Sequence, residues 1–216
     1  MINKRYSFVA TTIFAVFLGM TAGTAWAKGG DPVAGKDKAA LCAGCHGDDG
    51  NSLTSDFPRL AGQYENYIVK QVRDFQSGKR ANNDTMTGMA AMVASVQDAH
   101  DIGAYFASQK MAKKPLTASE KALLVKGKKL FTEGNPMTGV YACINCHGAR
   151  GKGKSAKNAT FPRIGGQHRD YIVKNLTDFR DGRRKNDPAG MMTDIARKLS
   201  DGEIKSLATY LSAQLP

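Results

Sequence analysis

Cysteine and histidine are both scarce in this chain of 216 residues, which contains four of each. All four cysteines lie in two Cys-x-x-Cys-His frames, LCAGCHG at residues 41–47 and ACINCHG at residues 142–148. No cysteine is left over, and the only histidines outside the frames are His100 and His168. The chemistry of cysteine in this protein is therefore confined to the two frames.

Long apolar runs are absent after the N-terminus. The chain begins with Lys4 and Arg5, continues with a mostly apolar stretch at residues 8–20, and then has the small-x-small triplet Ala25-Trp26-Ala27. This order predicts a signal peptide over residues 1–27. An uncleaved anchor is the alternative, but the apolar stretch is shorter than the roughly 20 residues of a bilayer span. We expect an exported, periplasmic protein.

Alternating runs of β-branched residues are also absent, whereas apolar residues recur at helical spacing. Helix starts are indicated by Asp31 before Pro32 and by Ser200 with Glu203, with a less regular start at Ser95. The sequence predicts an all-α fold whose helices bury two related stripes: Tyr67, Ile68, Val72 and Phe75, then Tyr171, Ile172, Leu176 and Phe179.

A segment of 24 residues occurs twice. FPRLAGQYENYIVKQVRDFQSGKR at 57–80 recurs as FPRIGGQHRDYIVKNLTDFRDGRR at 161–184, a constant offset of 104 residues. Such a duplication implies two copies of one folding unit. We predict domains at residues 28–112 and 113–216. The linker between them, residues 108–121, ends in a predicted capping box from Thr117 to Glu120.

A histidine directly after Cys-x-x-Cys is the attachment pattern of c-type haem. Two thiols three residues apart reach the two vinyl groups of one porphyrin edge, and the adjacent imidazole binds the iron. The frames therefore predict two covalently bound haem c groups, one on Cys42, Cys45 and His46 and one on Cys143, Cys146 and His147. A zinc site would have six candidate ligands where four suffice. Two disulfides would leave both histidines unexplained.

The sixth iron ligand separates electron carriers from catalysts. His100 and His168 give little support for bis-histidine ligation of both irons. Methionines cluster in NNDTMTGMAAM, which ends at residue 92, and in KNDPAGMMTD, which ends at residue 194. The surplus Met89 and Met92 are consistent with core packing, the usual role of methionine.

Taken together, the two frames, FPRLAGQ and FPRIGGQ, DFQSGKR and DFRDGRR, and the methionine segments resemble the two halves of the dihaem cytochrome c4 family. The resemblance covers essentially the whole chain after residue 27. It implies two tandem class I cytochrome c domains, His/Met ligation of each iron, and a periplasmic carrier that feeds terminal oxidases.

The resemblance also implies which methionines bind iron. Met86 matches the family ligand in the first domain. In the second domain, counting back nine residues from Ser200, as from Ser95 to Met86, favours Met191, whereas the family spacing to KLS favours Met192. We predict Met192, because the stretch before Ser95 is one residue longer than usual, and keep Met191 as the alternative.

The sequence allows two roles for several polar residues. Arg59 and Arg163 follow Phe-Pro in each repeat and are either partners of haem propionates or solvated charges. Gln63 and Gln167, with Tyr64 and His168 beside them, are placed near the propionates or at the domain interface. His100 is interpreted as a surface residue.

Charge limits the partners. After residue 27 the chain has 29 Lys and Arg and 19 Asp and Glu, a formal +10. Four ionised propionates would lower this to about +6. No basic motif interleaved with aromatics favours nucleic acid. We expect transient electrostatic contacts with redox proteins such as a terminal oxidase, a quinol-oxidising complex or another cytochrome, and possible association with an anionic membrane surface.

The predicted function is a periplasmic electron carrier rather than an enzyme. The alternative is the haem subunit of a dehydrogenase, for example one that oxidises a sulfur compound. A catalytic haem needs an exchangeable sixth ligand, whereas each methionine segment here can close its own site.

Overall fold

A computed structural model describes Met1 and residues 29–112 and 120–214. The predicted signal peptide after Met1 and half of the predicted linker, residues 113–119 with Thr117, lie outside the described residues. We call residues 29–112 the first repeat and residues 120–214 the second repeat. Within these ranges no helix is long and apolar enough to cross a membrane.

The described residues form helices and no strand, apart from one isolated antiparallel bridge between Asn135 and Val140. This confirms the predicted all-α fold. The first repeat contains α1 (Pro32–Lys38), α2 (Ala40–His46), α3 (Glu65–Gln76), α4 (Asp84–Ala91) and α5 (Val96–Ser108). The second repeat contains α6 (Lys121–Glu133), α7 (Ile144–His147), α8 (Arg169–Arg180), α9 (Met191–Ala196) and α10 (Asp201–Ser212), with short 3₁₀ turns at Ala149–Gly151 and Pro188–Gly190.

Three helices begin with side-chain caps at the residues that the sequence indicated. The Asp31 carboxylate accepts a hydrogen bond from Val33 N, and Pro32 occupies the first turn of α1. At α10, Ser200 and Glu203 form a complete capping box. The Ser95 hydroxyl also accepts from the backbone at the start of α5. Each cap satisfies a backbone N–H that the first helical turn leaves without a partner.

Each repeat is built on a close crossing of its first and last helices. Gly35 of α1 lies against the backbone of Asp101 in α5, and Gly127 of α6 lies against the backbone of Ser206 in α10. In the second repeat, the last helix then carries Leu207 and Leu211 into the core. The crossing therefore positions part of the wall around the cofactor.

The predicted apolar stripes on α3 and α8 are mostly buried. Ile68, Phe75, Ile172 and Phe179 lie in the cores of their own repeats. Tyr67 instead reaches the other repeat, where its hydroxyl accepts a hydrogen bond from Arg184 at 3.2 Å. α3 and α8 therefore serve both the core and the boundary between repeats.

Candidate haem-binding site

Both Cys-x-x-Cys-His frames line one continuous cavity of about 540 Å³ that both repeats enclose. In each frame a helix ends at the histidine, and a glycine in the left-handed region follows: Gly47 at φ 81° and Gly148 at φ 69°. Glycine adopts this conformation without strain. The chain can thus turn away at once and leave the cysteines and the histidine together on the cavity wall.

Both frame histidines are buried and hydrogen-bonded in the same way. The Nδ1 atom of His46 lies 2.8 Å from Pro58 O, and the Nδ1 atom of His147 lies 3.1 Å from Pro162 O. A carbonyl accepts only from a protonated Nδ1, so Nε2 is the free lone pair in each ring. Burial lowers the pKa of both histidines, although the bond to the proline carbonyl raises it. Each ring is therefore neutral and oriented for a metal ion.

The environment of the frame thiols differs from that of a redox-active dithiol. Burial is the main cause that raises the pKa of Cys42 and of Cys143 to about 11. Reactive thiols have lowered pKa values, because the thiolate is the nucleophile. None of the four cysteines forms a disulfide. The buried, neutral thiols of Cys42 and Cys143 suit thioether bonds to a porphyrin.

The predicted methionine ligands also line the cavity. Met86 lies in α4, and both Met191 and Met192 lie at the start of α9. The side chain of Asn83 accepts from Met86 N at 2.9 Å and so caps α4 at the methionine. Met89 lines the cavity as well, whereas Met92 is 62% exposed and is absent from its wall.

The pattern of buried residues shows which positions of the two methionine segments correspond. The pair Ala90 and Val93 is buried in the first repeat, and the pair Ala196 and Leu199 in the second, with the same spacing. Met86 and Met192 each lie four residues before the alanine, so they are equivalent. One extra residue, Ala94, separates the buried pair from the cap in the first repeat. Counting from the cap therefore pointed to Met191, which is also 37% exposed.

Arg59 and Arg163 lie at the boundary between repeats, so their reading as solvated surface charges is wrong. Both line the cavity, and the Nε atom of each is buried without a hydrogen-bond partner in the protein. A buried guanidinium N–H without an acceptor is costly. A carboxylate in the cavity would satisfy it. The residues present therefore fit a cofactor that carries propionates.

Gln63 and Gln167 each bridge to the other repeat. Gln63 Nε2 donates to Arg163 O at 2.8 Å, and Gln63 Oε1 accepts from Arg163 N at 3.1 Å. Gln167 makes the same pair of bonds with Arg59, at 3.0 and 2.8 Å. Both glutamines therefore lie at the interface, one of the two places that the sequence allowed.

The residues that follow the two glutamines also cross the interface. The Tyr64 hydroxyl donates to Lys152 O at 2.8 Å. The Nε2 atom of His168 lies 2.9 Å from Ser52 Oγ and 3.0 Å from Ser52 O. These contacts, together with those of the glutamines, hold the two repeats against each other around the cavity.

A pair of buried arginines at the interface was missed by the sequence reasoning. Arg80 and Arg184 end the duplicated segment and share two acceptors that belong to different repeats. Gln71 Oε1 accepts from Arg80 at 2.9 Å and from Arg184 at 3.1 Å. Asn175 Oδ1 accepts from the same two residues at 3.3 and 2.6 Å. The identical position of the two arginines in the duplication was the available signal.

The arginine pair makes this part of the cavity electropositive. Burial raises the pKa of Tyr171, but the charges of Arg80 and Arg184 outweigh it, so the pKa lies below its usual value of 10. Each guanidinium also stacks on an aromatic ring of its own repeat, at 4.6 Å for Phe75 and 4.5 Å for Phe179. This stacking helps to hold both guanidinium groups beside the cofactor cavity.

The interpretation of His100 as a simple surface residue is wrong. Its Nδ1 atom lies 2.7 Å from Glu65 Oε1, and the ring is half-buried against α3. The same carboxylate oxygen accepts from Gly30 N at 2.9 Å. His100 therefore helps to attach the N-terminal segment to the first repeat and lies away from the cavity.

Known proteins provide an independent comparison. Residues 124–214 match the family described as cytochrome c. Cytochrome c4 of Pseudomonas aeruginosa is 45% identical over 90% of this chain and 92% of its own length. A thiosulfate dehydrogenase electron acceptor of Thiomonas intermedia is 34% identical over 88% of this chain and 85% of its own. The crystal structure of reduced recombinant cytochrome c4 from Pseudomonas stutzeri superposes with a TM-score of 0.78, at 42% identity over 85% of this chain and 98% of that one. The chain therefore belongs to the cytochrome c4 family of electron-carrying c-type cytochromes, with two tandem cytochrome c domains and two covalently bound haem c groups.

Proposed function

We propose that this protein is a periplasmic carrier that passes electrons between a quinol-oxidising complex and a terminal oxidase, with no substrate of its own. One observation carries the proposal: each repeat lines the shared cavity with its own Cys-x-x-Cys-His frame and its own methionine segment. A methionine sulfur in the sixth position fills the iron coordination and raises the potential. An iron closed in this way exchanges electrons and binds no substrate.

The proposed domain boundaries are a signal peptide at residues 1–27 and cytochrome domains at residues 28–112 and 113–216. The proposed attachment residues are Cys42, Cys45, Cys143 and Cys146, and the proposed axial ligands are His46 with Met86 and His147 with Met192. The equivalent burial of the two segments supports Met192 over Met191.

Each haem would supply one-electron exchange between ferrous and ferric iron, and the protein would hold it in place. The carbonyls of Pro58 and Pro162 accept from Nδ1 of each histidine, which leaves Nε2 as the atom that would bind the iron. The free Nε–H groups of Arg59 and Arg163 would donate to propionates inside the cavity. The cavity is continuous across the repeats, which supports electron transfer between the two haems within one molecule.

A second candidate differs in the electron donor. The relative from Thiomonas intermedia is a thiosulfate dehydrogenase electron acceptor, and its match spans most of both chains. On this reading a dehydrogenase of a sulfur compound would reduce the present protein. The iron ligands and the closed coordination would be the same, so the two candidates are separated by the donor that reduces the protein fastest.

Ligand-replacement variants test the closed coordination. We expect the oxidised holoprotein to show the weak absorption at the red edge of the visible spectrum that methionine sulfur gives to ferric haem, for both irons. We also expect the reduced protein to bind no carbon monoxide at neutral pH. Met192→Ala should lose half of the band and open one iron to carbon monoxide, whereas Met191→Ala, the matched control, should do neither. Rapid binding by the wild type would contradict the carrier function.

A further inference from the structure

The positive charge of this protein is distributed unequally between its halves. Residues 28–112 contain nine Lys and Arg and ten Asp and Glu. Residues 113–216 contain twenty Lys and Arg and nine Asp and Glu. The whole positive excess of the chain after residue 27 thus belongs to the second half. Since each half carries one haem, the propionates change both totals equally.

The second repeat also has a turn that the first repeat lacks. In the first repeat only Ala39 separates α1 from α2. In the second repeat residues 134–143 separate α6 from α7, and we call this segment the 134–143 turn. Asn135 N donates to Val140 O at 2.8 Å, and Val140 N donates back to Asn135 O at 3.0 Å. These bonds close the segment into a small hairpin.

The 134–143 turn is anchored to the rest of the repeat. The Val140 side chain is buried in the core. Asn135 Nδ2 donates to Glu203 Oε1 at 2.9 Å, and Lys198 Nζ donates to Gly139 O at 3.0 Å. A segment held by the core and by two side chains from outside it is pre-organised, so a partner would not have to order it on binding.

Two large apolar side chains of this anchored turn face solvent. Met137 is 94% exposed and Tyr141 is 73% exposed. Tyr141 also lines the haem cavity, only two residues before Cys143. Lys198 Nζ lies 5.6 Å from the centre of the Tyr141 ring. The turn therefore presents apolar surface and a positive charge directly beside the second haem site.

We propose that the 134–143 turn is the docking surface for an acidic redox protein, and that electrons pass between this protein and its partner through the second haem. The inference rests on the proposed carrier function. An apolar centre beside the Lys198 ammonium matches a partner whose apolar patch is rimmed by carboxylates. The charge difference between the halves orients an acidic partner toward the second repeat. Such contacts are small and weaken with salt.

Stopped-flow oxidation of the reduced holoprotein tests this proposal. The probe is oxidised plastocyanin, a small copper protein with an acidic patch. One electron passes from a ferrous haem iron, which becomes ferric, to Cu(II), which becomes Cu(I). The test variant is Met137→Glu, and the matched control is Leu53→Glu. Leu53 lies in the first repeat and is 98% exposed, so the two variants change the net charge equally and neither alters the core.

At low ionic strength we expect Met137→Glu to lower the second-order rate constant about tenfold, the effect of losing one contact near an interface centre. Leu53→Glu should change it less than about twofold. An equal fall in both variants, or no fall in Met137→Glu, would overturn the docking proposal. Oxidation by hexacyanoferrate(III), which needs no protein interface, is the second measurement. If hexacyanoferrate(III) oxidises both haems normally, the carrier function stands even when the docking proposal fails.

Discussion

Gly127→Ala gives a sharp test, because helix propensity predicts a more stable protein and tertiary packing predicts a less stable one. Gly127 lies inside α6, where alanine is favoured over glycine by about 1 kcal/mol. At the crossing with α10, however, an added Cβ would lie 1.9 Å from Ser206 O and 2.8 Å from Tyr210 Cβ. An ordinary contact distance is at least 3.4 Å, so the two helices would have to separate by the difference.

The expected result is a less stable second repeat. Overpacking typically costs about 1–3 kcal/mol, and the upper end applies here because a backbone carbonyl cannot rotate away. After subtraction of the propensity gain, the free energy of unfolding should fall by about 2 kcal/mol. For a repeat of this size, that lowers the melting temperature by roughly 10 °C.

Thermal unfolding of the ferric holoprotein, followed by circular dichroism, measures this change. Gly202→Ala is the matched control, because Gly202 lies in α10 of the same repeat and an added Cβ there meets no atom within 4 Å. It should leave the second repeat as stable or more stable. Gly35→Ala should destabilise the first repeat in the same way, because its Cβ would lie 2.0 Å from Asp101 O. A Gly127→Ala protein as stable as the wild type would refute the reasoning.

Three further predictions follow from particular contacts. The pKa of Asp101 is lowered to about 2, first by the hydrogen bond from Lys38 and then by the backbone amide of Asp31. An unfolded Asp titrates near 3.9, so this stabilisation is complete above about pH 4 and is lost as the pH falls toward 2. The difference in unfolding free energy between the wild type and Asp101→Asn should therefore shrink over that range, and a constant difference would contradict it. Arg184→Gln should lower the potentials of both haems in a redox titration, because its guanidinium bonds to both repeats and positive charge disfavours ferric iron. Lys185→Gln, which removes an exposed charge, should change the two potentials less. If Arg184→Gln changed the potential of the second haem alone, Arg184 would not act on both haems. Cys42→Ala should leave one thioether at the first haem and destabilise only that repeat in calorimetry, and loss of both haems would exclude independent repeats.

The cofactor class and the helical repeats could be predicted from the sequence because their signals are local. A Cys-x-x-Cys-His frame spans five residues, so its two thiols and its imidazole are neighbours in the chain, all within α2 in the first repeat and on α7 and its N-cap Cys143 in the second. The stripes on α3 and α8 depend only on helical spacing. The cap at Ser200 likewise needs only Glu203 three residues later. Each of these features is complete within a few turns of chain.

The tertiary structure alone decided which distant groups meet. Gln63 and Arg163 are 100 residues apart, and their reciprocal bonds form only when the two repeats pack together. The same packing buries Arg80 and Arg184 as a pair with shared acceptors, although each looks like an ordinary surface cation in the sequence. The structure adds support for the equivalence of Met192 and Met86, because each lies four residues before a buried alanine, Ala196 or Ala90, whereas counting from the helix cap is displaced by one inserted residue. Local sequence determines the helices and the haem attachment, whereas contacts between residues far apart in the chain determine the interface and the shape of the cavity.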